Sequence, residues 1–293
     1  MASADKPRVA CEISPERVIA ARVADSGSAL DVFAARTVPA GALLPTLGTG
    51  SVVNAGALRD SVSDALATVG ARSREIIALV PDVAVRIVLL DFEELPDRRD
   101  DADAVVRFRL KKSLPFDADH ASLSYDVHRG NGAVKVVAAV SPPGVVEEYE
   151  SVIRDAGYSP GVVLPSMLAA LGGVEAAQPT LVVKIDTGST SVAIVKNNDL
   201  LLYRTLESTR TGLPEAASLA DEIYPSLVFF QDHYGMKVER ILLAGVASAR
   251  DLGAALETHT GAKVEDLVSS AQAGQSGNLP SSLLAGVLGA LIG

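Results

Sequence analysis

Tryptophan is absent, cysteine occurs once, and aromatic residues make up only 4% of the 293-residue chain. So few aromatics argue against a stacking platform for bases or sugars. The single thiol, Cys11, cannot form an internal disulfide, which points to a reducing compartment. The four histidines, His120, His128, His233 and His259, are scattered without metal-ligand spacing, so no metal site is expected. Extended basic stretches are missing too: 26 Lys and Arg stand against 36 Asp and Glu, a formal net charge of −10. A nucleic-acid backbone is not the expected partner, because such affinity rests on clustered cations. The longest nearly unbroken apolar stretch, Leu283 to Ile292, is too short to span a bilayer. The opening MASADKPRVACEIS lacks the charged and then apolar pattern of a secretory signal. The expectation is a cytoplasmic protein with no direct membrane insertion.

The length allows two domains, and an apolar content of 48% dominated by Ala and Val suits an aliphatic sheet-and-helix core. Three short segments open the chain, Arg8 to Ser14, Arg17 to Ala24 and Ala29 to Val38. Ser14-Pro15-Glu16 and Asp25-Ser26-Gly27 separate them, and they read as an antiparallel meander. Between Asn54 and Gly70, Leu58, Val62, Leu66 and Val69 recur at helical spacing. Strands follow at Glu75 to Val80 and Val83 to Leu90. From Asp91 the charge density rises, and a helix carrying Val106, Leu110 and Leu114 on one face stops at Pro115, which reads as the entry to an inserted subdomain. Strands Ser122 to His128 and Ala133 to Val140 join through Gly130-Asn131-Gly132, a hairpin signal. A helix then runs from about Pro143 to Gly157.

From Thr180 the opening plan returns: Leu181 to Asp186, a turn Thr187-Gly188-Ser189, Thr190 to Val195, a turn Lys196-Asn197-Asn198, then Leu200 to Leu206. A duplication of this size is a fold-level signal. A helix from about Pro214 to Tyr234 contains Pro225, which predicts a kink or two shorter helices. A strand Arg240 to Leu243, a helix to about His259, a strand near Val264, a Gly- and Ser-rich loop from Ser269 to Asn278 and a buried last helix complete the copy.

The sharpest chemical motif is Ile185-Asp186-Thr187-Gly188-Ser189-Thr190-Ser191 at a hairpin. Glycine lets a phosphate approach the backbone, amides and hydroxyls donate to it, and an aspartate can hold hydrated magnesium. An ordinary Asp-Thr-Gly-Ser turn remains the alternative. The matching turn of the first copy is Glu12-Ile13-Ser14-Pro15-Glu16-Arg17, so two acidic residues would face each other across an interdomain cleft. In this the sequence resembles the actin-like ATPase superfamily and, within it, the type IV pilus assembly PilM family, related to FtsA. Further segments carry the resemblance: Gly50 to Asn54, Ala78-Leu79-Val80-Pro81, Lys112-Ser113-Leu114-Pro115-Phe116, Val137-Ala138-Ala139, Asp155 to Pro160, Tyr203-Arg204-Thr205-Leu206, Glu222-Ile223 with Ser226-Leu227 and Phe230, and Ile241 to Gly245.

The resemblance implies a two-lobed actin-like α/β fold, a duplicated RNase H-like plan. Lobe one would span 1–177 with the inserted subdomain at about 91–140. Lobe two would span 178–293, with a final helix returning to the cleft. Nucleotide contacts would map onto Glu12, Ser14, Asp186, Gly188, Ser189, Thr190 and Gly245. Several departures weaken that site. Pro15 removes an amide donor, Glu12 replaces an aspartate, and Gly245 is followed by Val246 rather than glycine. About seventeen residues between Arg204 and Glu222 replace a subdomain of several dozen that supplies one wall of the family's nucleotide cleft. The expectation is therefore a degenerate cleft with no catalytic residue, vestigial nucleotide motifs, and ATP and magnesium possible only through the family resemblance.

The resemblance also implies a partner, the short cytoplasmic N-terminal peptide of a PilN-like inner-membrane protein, docking beside the inserted subdomain and recruiting this chain to the membrane. Phe108, Leu110, Lys111, Lys112 and Phe116 on the inserted helix are the expected partner-binding residues, although a solvated basic helix face explains the same pattern. The function expected is a non-catalytic scaffold of a pilus, secretion or competence platform. The alternatives are an active actin-like ATPase, in which Glu12 and Asp186 organise magnesium, and a GspL-like type II secretion component. Homo-oligomers are possible by fold analogy. No nucleophile elbow supports a hydrolase.

Overall fold

The computed structural model describes residues 7–71, 73–129, 133–208, 212, 214–273 and 279–293. The expected Gly130-Asn131-Gly132 turn lies outside the described residues, as does part of the Ser269 to Asn278 loop. The elements are β1 (Val9–Ile13), β2 (Arg17–Val23), β3 (Leu30–Thr37), α1 (Ala55–Thr68), β4 (Glu75–Val80), β5 (Arg86–Phe92), α2 (Arg99–Leu110), β6 (Ser122–Arg129), β7 (Val134–Ser141), α3 (Val145–Asp155), β8 (Ser159–Pro165) and α4 (Ser166–Ala170). They continue with β9 (Thr180–Asp186), β10 (Ser189–Lys196), β11 (Asp199–Glu207), α5 (Ala216–Tyr234), β12 (Arg240–Gly245), α6 (Ala249–Thr260), β13 (Lys263–Asp266), α7 (Ser270–Ala273) and α8 (Ala285–Ile292).

The two halves share one topology. The first sheet has the order β3-β2-β1-β4-β8 and the second β11-β10-β9-β12-β13. In each, the first three strands form an antiparallel meander and the last two run parallel to the first. The parallel strands are joined through helices, α1 and α3 in the first copy and α5 and α6 in the second, as parallel pairing requires. The first copy carries an extra unit between β4 and α3: a sheet of order β5-β7-β6 on which α2 packs through Ala102, Val106 and Leu110. Its sheet begins at Arg86, five residues before the expected boundary, because β5 pairs with the whole of β7.

Strand alternation then decides what faces the cleft. On β1, Val9, Cys11 and Ile13 join the core under α1 and α3, which leaves Ala10 and Glu12 on the opposite face, where Ala10 packs with residues of α8. On β9, Leu181, Val183 and Ile185 join the core under α5 and α6, so Val182, Lys184 and Asp186 point the other way, where Val182 packs with Met167 of lobe one. Helix α8 lies on β1, β2 and α4, which places the end of the chain on the first lobe. This crossing needs glycine: a Cβ at Gly289 would collide with the backbone oxygen of Ala169, and one at Gly286 would stand 2.7 Å from both Glu12 Oε2 and Ser166 Oγ.

Helix α5 is continuous through Pro225, so of the kink or two shorter helices expected there, the two-helix alternative does not occur. Pro225 and Asp221 are both solvent-exposed, so water can satisfy the Asp221 carbonyl that loses its i+4 donor. The strand β8 escapes sequence reading because its segment, Ser-Pro-Gly-Val-Val-Leu-Pro, carries two prolines and a glycine. It forms the edge of its sheet, where proline is tolerated.

Candidate functional site

The two β-turns expected to hold phosphate do converge. Ser14, Pro15, Asp186, Gly188 and Ser189 line a cleft of about 430 Å³ between the lobes, together with Glu12, Asp82, Ser166 and Lys184 at its base and Leu43, Leu44 and Pro45 at its rim. Its two halves differ in character. The turn after β9 has Gly188 at φ +84°, and Ser189 pairs with Asp186 on the cleft face. In the turn after β1, both the amide and the hydroxyl of Ser14 donate to the Arg17 carbonyl, at 2.9 and 2.8 Å. Pro15 has no amide to offer.

Two of the expected nucleotide residues do other work. Thr190 is fully buried and stands opposite Ile185, so it faces the core of lobe two rather than the cleft. Gly245, at φ +87°, is glycine because a Cβ there would run into the Ile185 carbonyl, which accepts from the Val246 amide at 2.8 Å. The space bounded by Gly245, Val246, Leu283, Ser14, Pro15 and Thr187 is only about 20 Å³, room for roughly one water molecule.

Beside the expected Glu12 and Asp186, the base of the cleft holds two charged residues that sequence reading missed, Lys184 and Asp82. Lys184 is 3% exposed. Its Nζ contacts Asp186 Oδ2 and lies 3.3 Å from Glu12 Oε1, so one ammonium joins a carboxylate from each lobe. Burial opposes that charge, but Asp186, Glu12 and Asp82 outweigh it and hold the Lys184 pKa above the ordinary lysine range. Ser166 Oγ donates to the same Glu12 oxygen, while Glu12 Oε2 has no hydrogen-bond partner among the described residues. Asp82, 1% exposed, accepts from the Met167 amide at 2.8 Å, from Ser191 Oγ at 2.9 Å and from Tyr203 OH at 3.4 Å. Burial, with a smaller contribution from Asp186, pushes the Asp82 pKa up to about 6 against the pull of Lys184. The signal in the sequence was Lys184 itself, a lone cation inside the otherwise apolar run Leu-Val-Val-Lys-Ile.

These groups fit a magnesium nucleotide poorly. The Ser14 donors are spent on Arg17, the gap beside Gly245 is closed, and an ammonium already lies between Glu12 and Asp186. Among the described residues no group of three or more His, Cys, Asp or Glu side chains could hold a metal ion.

The expected partner-binding residues divide. Phe108 is 63% exposed, whereas Leu110 is fully buried in the core beneath α2 and offers no surface to a partner. Phe116 is partly buried against the same core, and Lys111 pairs with Asp119 at 2.6 Å. Lys112 is exposed. A different feature of this region is concave. A groove of about 310 Å³ runs between the inserted sheet and lobe one, lined by Leu123, Ser124, Ala139 and Ser141 on one side and by Val80, Val146, Val163 and Pro165 on the other, with Glu147 and Glu150 at its rim. Its walls include the edge strands β6 and β8. The Ser141 hydroxyl, buried in this wall, has no partner among the described residues.

No family model matches the chain, and no curated protein matches it. Solved structures do. The chain superposes on a structure described as the PilM-PilN type IV pilus biogenesis complex with a TM-score of 0.80 and 20% identity, covering 98% of each chain. It matches the cytoplasmic domain of EpsL, an inner membrane component of the type II secretion system of Vibrio cholerae, with a TM-score of 0.54 and 12% identity over 96% of this chain and 92% of that one. The ethanolamine utilization protein EutJ from Carboxydothermus hydrogenoformans gives a TM-score of 0.56 at 11% identity, over 99% of this chain and 90% of that one. With the duplicated sheets and the subdomain inserted after β4, these matches show that the chain has the actin-like fold in the PilM-like arrangement.

Proposed function

We propose that this protein is a non-catalytic component of a pilus or secretion platform, which binds a short peptide of a PilN-like membrane protein and is held at the inner membrane by it. The observation that carries the reading is the groove between the inserted sheet and lobe one. It offers apolar walls for alternate side chains, and its two edge strands can present backbone donors and acceptors to an extended peptide. At the rim, Glu147 and Glu150 are both paired with Arg154, so the apolar walls and the strand edges rather than charge would hold the peptide. The likeness to a PilM-PilN complex and to the EpsL cytoplasmic domain supports the class of machine. The poor fit of the cleft to a magnesium nucleotide supports a role without ATP hydrolysis.

Calorimetric titration with a synthetic peptide matching the cytoplasmic N-terminus of a PilN-like protein tests the assignment. Binding should be lost in Leu123→Lys and in Ala139→Lys, each of which puts a charge on the groove's apolar wall. Peptide binding that ignores both changes would move the docking site elsewhere. Titration with ATP and magnesium should give no heat at millimolar nucleotide, and micromolar binding would restore the ATPase alternative.

A further inference from the structure

We infer that Lys184 is a built-in cation, lying between Glu12 and Asp186 where a bound metal would otherwise neutralise the two facing acids, and that it clasps the lobes without any ligand. The inference rests on the reading of the cleft as one without a nucleotide and does not depend on the peptide partner.

Geometry makes the case. Glu12 comes from the central strand of one sheet and Asp186 from the central strand of the other, and strand alternation turns both toward the same gap. Two carboxylates in such a place repel each other and lose hydration, so they require a cation. The Lys184 ammonium supplies it with one contact to each lobe, buried to within 3% of full enclosure. Magnesium binds carboxylate oxygens at about 2.0 to 2.1 Å and keeps most of its waters. An ion meeting Glu12 Oε1 and Asp186 Oδ2 at that range would overlap the ammonium and its charge. The lysine and the metal therefore exclude each other. The surroundings are built around this arrangement: Ser166 donates to Glu12, and Gly286 brings the backbone of α8 directly against the same carboxylate.

Replacing Lys184 by alanine should then do two things. It should remove the clasp, and it should uncover a latent divalent site made of Glu12 and Asp186. The test is the melting temperature of the 293-residue chain at pH 7.5, with and without 10 mM MgCl2 or CaCl2, a concentration chosen to be about tenfold above a millimolar affinity. The wild type should be indifferent to both salts beyond a matched NaCl control. Lys184→Ala should melt about 10 °C lower and recover several degrees with either divalent ion. A rise in the wild type would show that metal and lysine coexist and would overturn the inference. So would a Lys184→Ala protein that keeps its melting temperature, or one that is destabilised yet ignores both ions. Should that variant fail to fold, the double variant Glu12→Gln with Lys184→Met removes the cation and one acid together. It should fold and ignore divalent ions, and failure on either count would equally defeat the proposal. Peptide titration is a separate readout, so loss of the partner assignment would leave this result standing.

Discussion

Ser191 Oγ of lobe two donates to Asp82 Oδ2 of lobe one at 2.9 Å, in a place where neither residue meets solvent. With the Met167 amide and Tyr203 hydroxyl on the other oxygen, Asp82 is a second junction between the lobes, next to the Lys184 junction.

That junction makes stability depend on pH. The Asp82 pKa rises from 3.8 unfolded to about 6 folded. Between these values the folded state binds more protons than the unfolded one, so stability falls as pH rises from about 4 to about 6 and then levels off. The contribution is on the order of 3 kcal/mol. In Asp82→Asn this slope should disappear from urea unfolding measured across the same range. The amide keeps an acceptor for Met167, and Ser191 can donate to Thr205 Oγ1, 3.2 Å away, instead.

Lys184→Met should lower the unfolding free energy by about 3 to 5 kcal/mol at pH 7, because it leaves buried carboxylates without their counter-charge. Lys184→Arg should not restore it, since a forked guanidinium is bulkier than the ammonium in a fully enclosed place. Denaturant midpoints at constant m-value give the comparison.

Close approach of α8 predicts the effect of single methyl groups. Gly289→Ala would drive a Cβ into the Ala169 carbonyl, and Gly286→Ala would press on Glu12 Oε2 and Ser166 Oγ. Each should cost about 1 to 3 kcal/mol by overpacking. Limited proteolysis should then release the end of the chain at protease levels that leave the wild type intact.

On α2, two residues that looked alike should behave differently. Leu110→Ala should destabilise by about 2 to 5 kcal/mol as a core truncation, while Phe108→Ala, at an exposed site, should stay within about 0.5 kcal/mol. A thermal melt of each variant is sufficient to check this.

The repeat of strand, turn, strand, strand was legible because a central strand buried on both faces must be apolar along its whole length, and β1 and β9 both are apart from their acidic and basic insertions. The inserted helix was legible from the spacing of Val106 and Leu110. Strand β8 was not, because edge position tolerates residues that argue against a strand elsewhere. That α5 is one helix and not two was not legible for a related reason: a proline on the solvent side lets water replace the lost bond.

The amino-acid order by itself determined the two-copy plan, the presence of an insertion in the first copy, and which residues of each strand share a face, since these follow from local periodicity. Only the tertiary structure decided that the odd lysine of β9 meets the acid of β1, that Gly245 serves the Ile185 carbonyl, and that the inserted sheet leaves a groove against lobe one. The reason is physical. Alternation sends Lys184 and Glu12 to a face but does not say what that face will meet. That depends on how closely α8 and α4 let the lobes approach, which is set by contacts between residues more than a hundred positions apart.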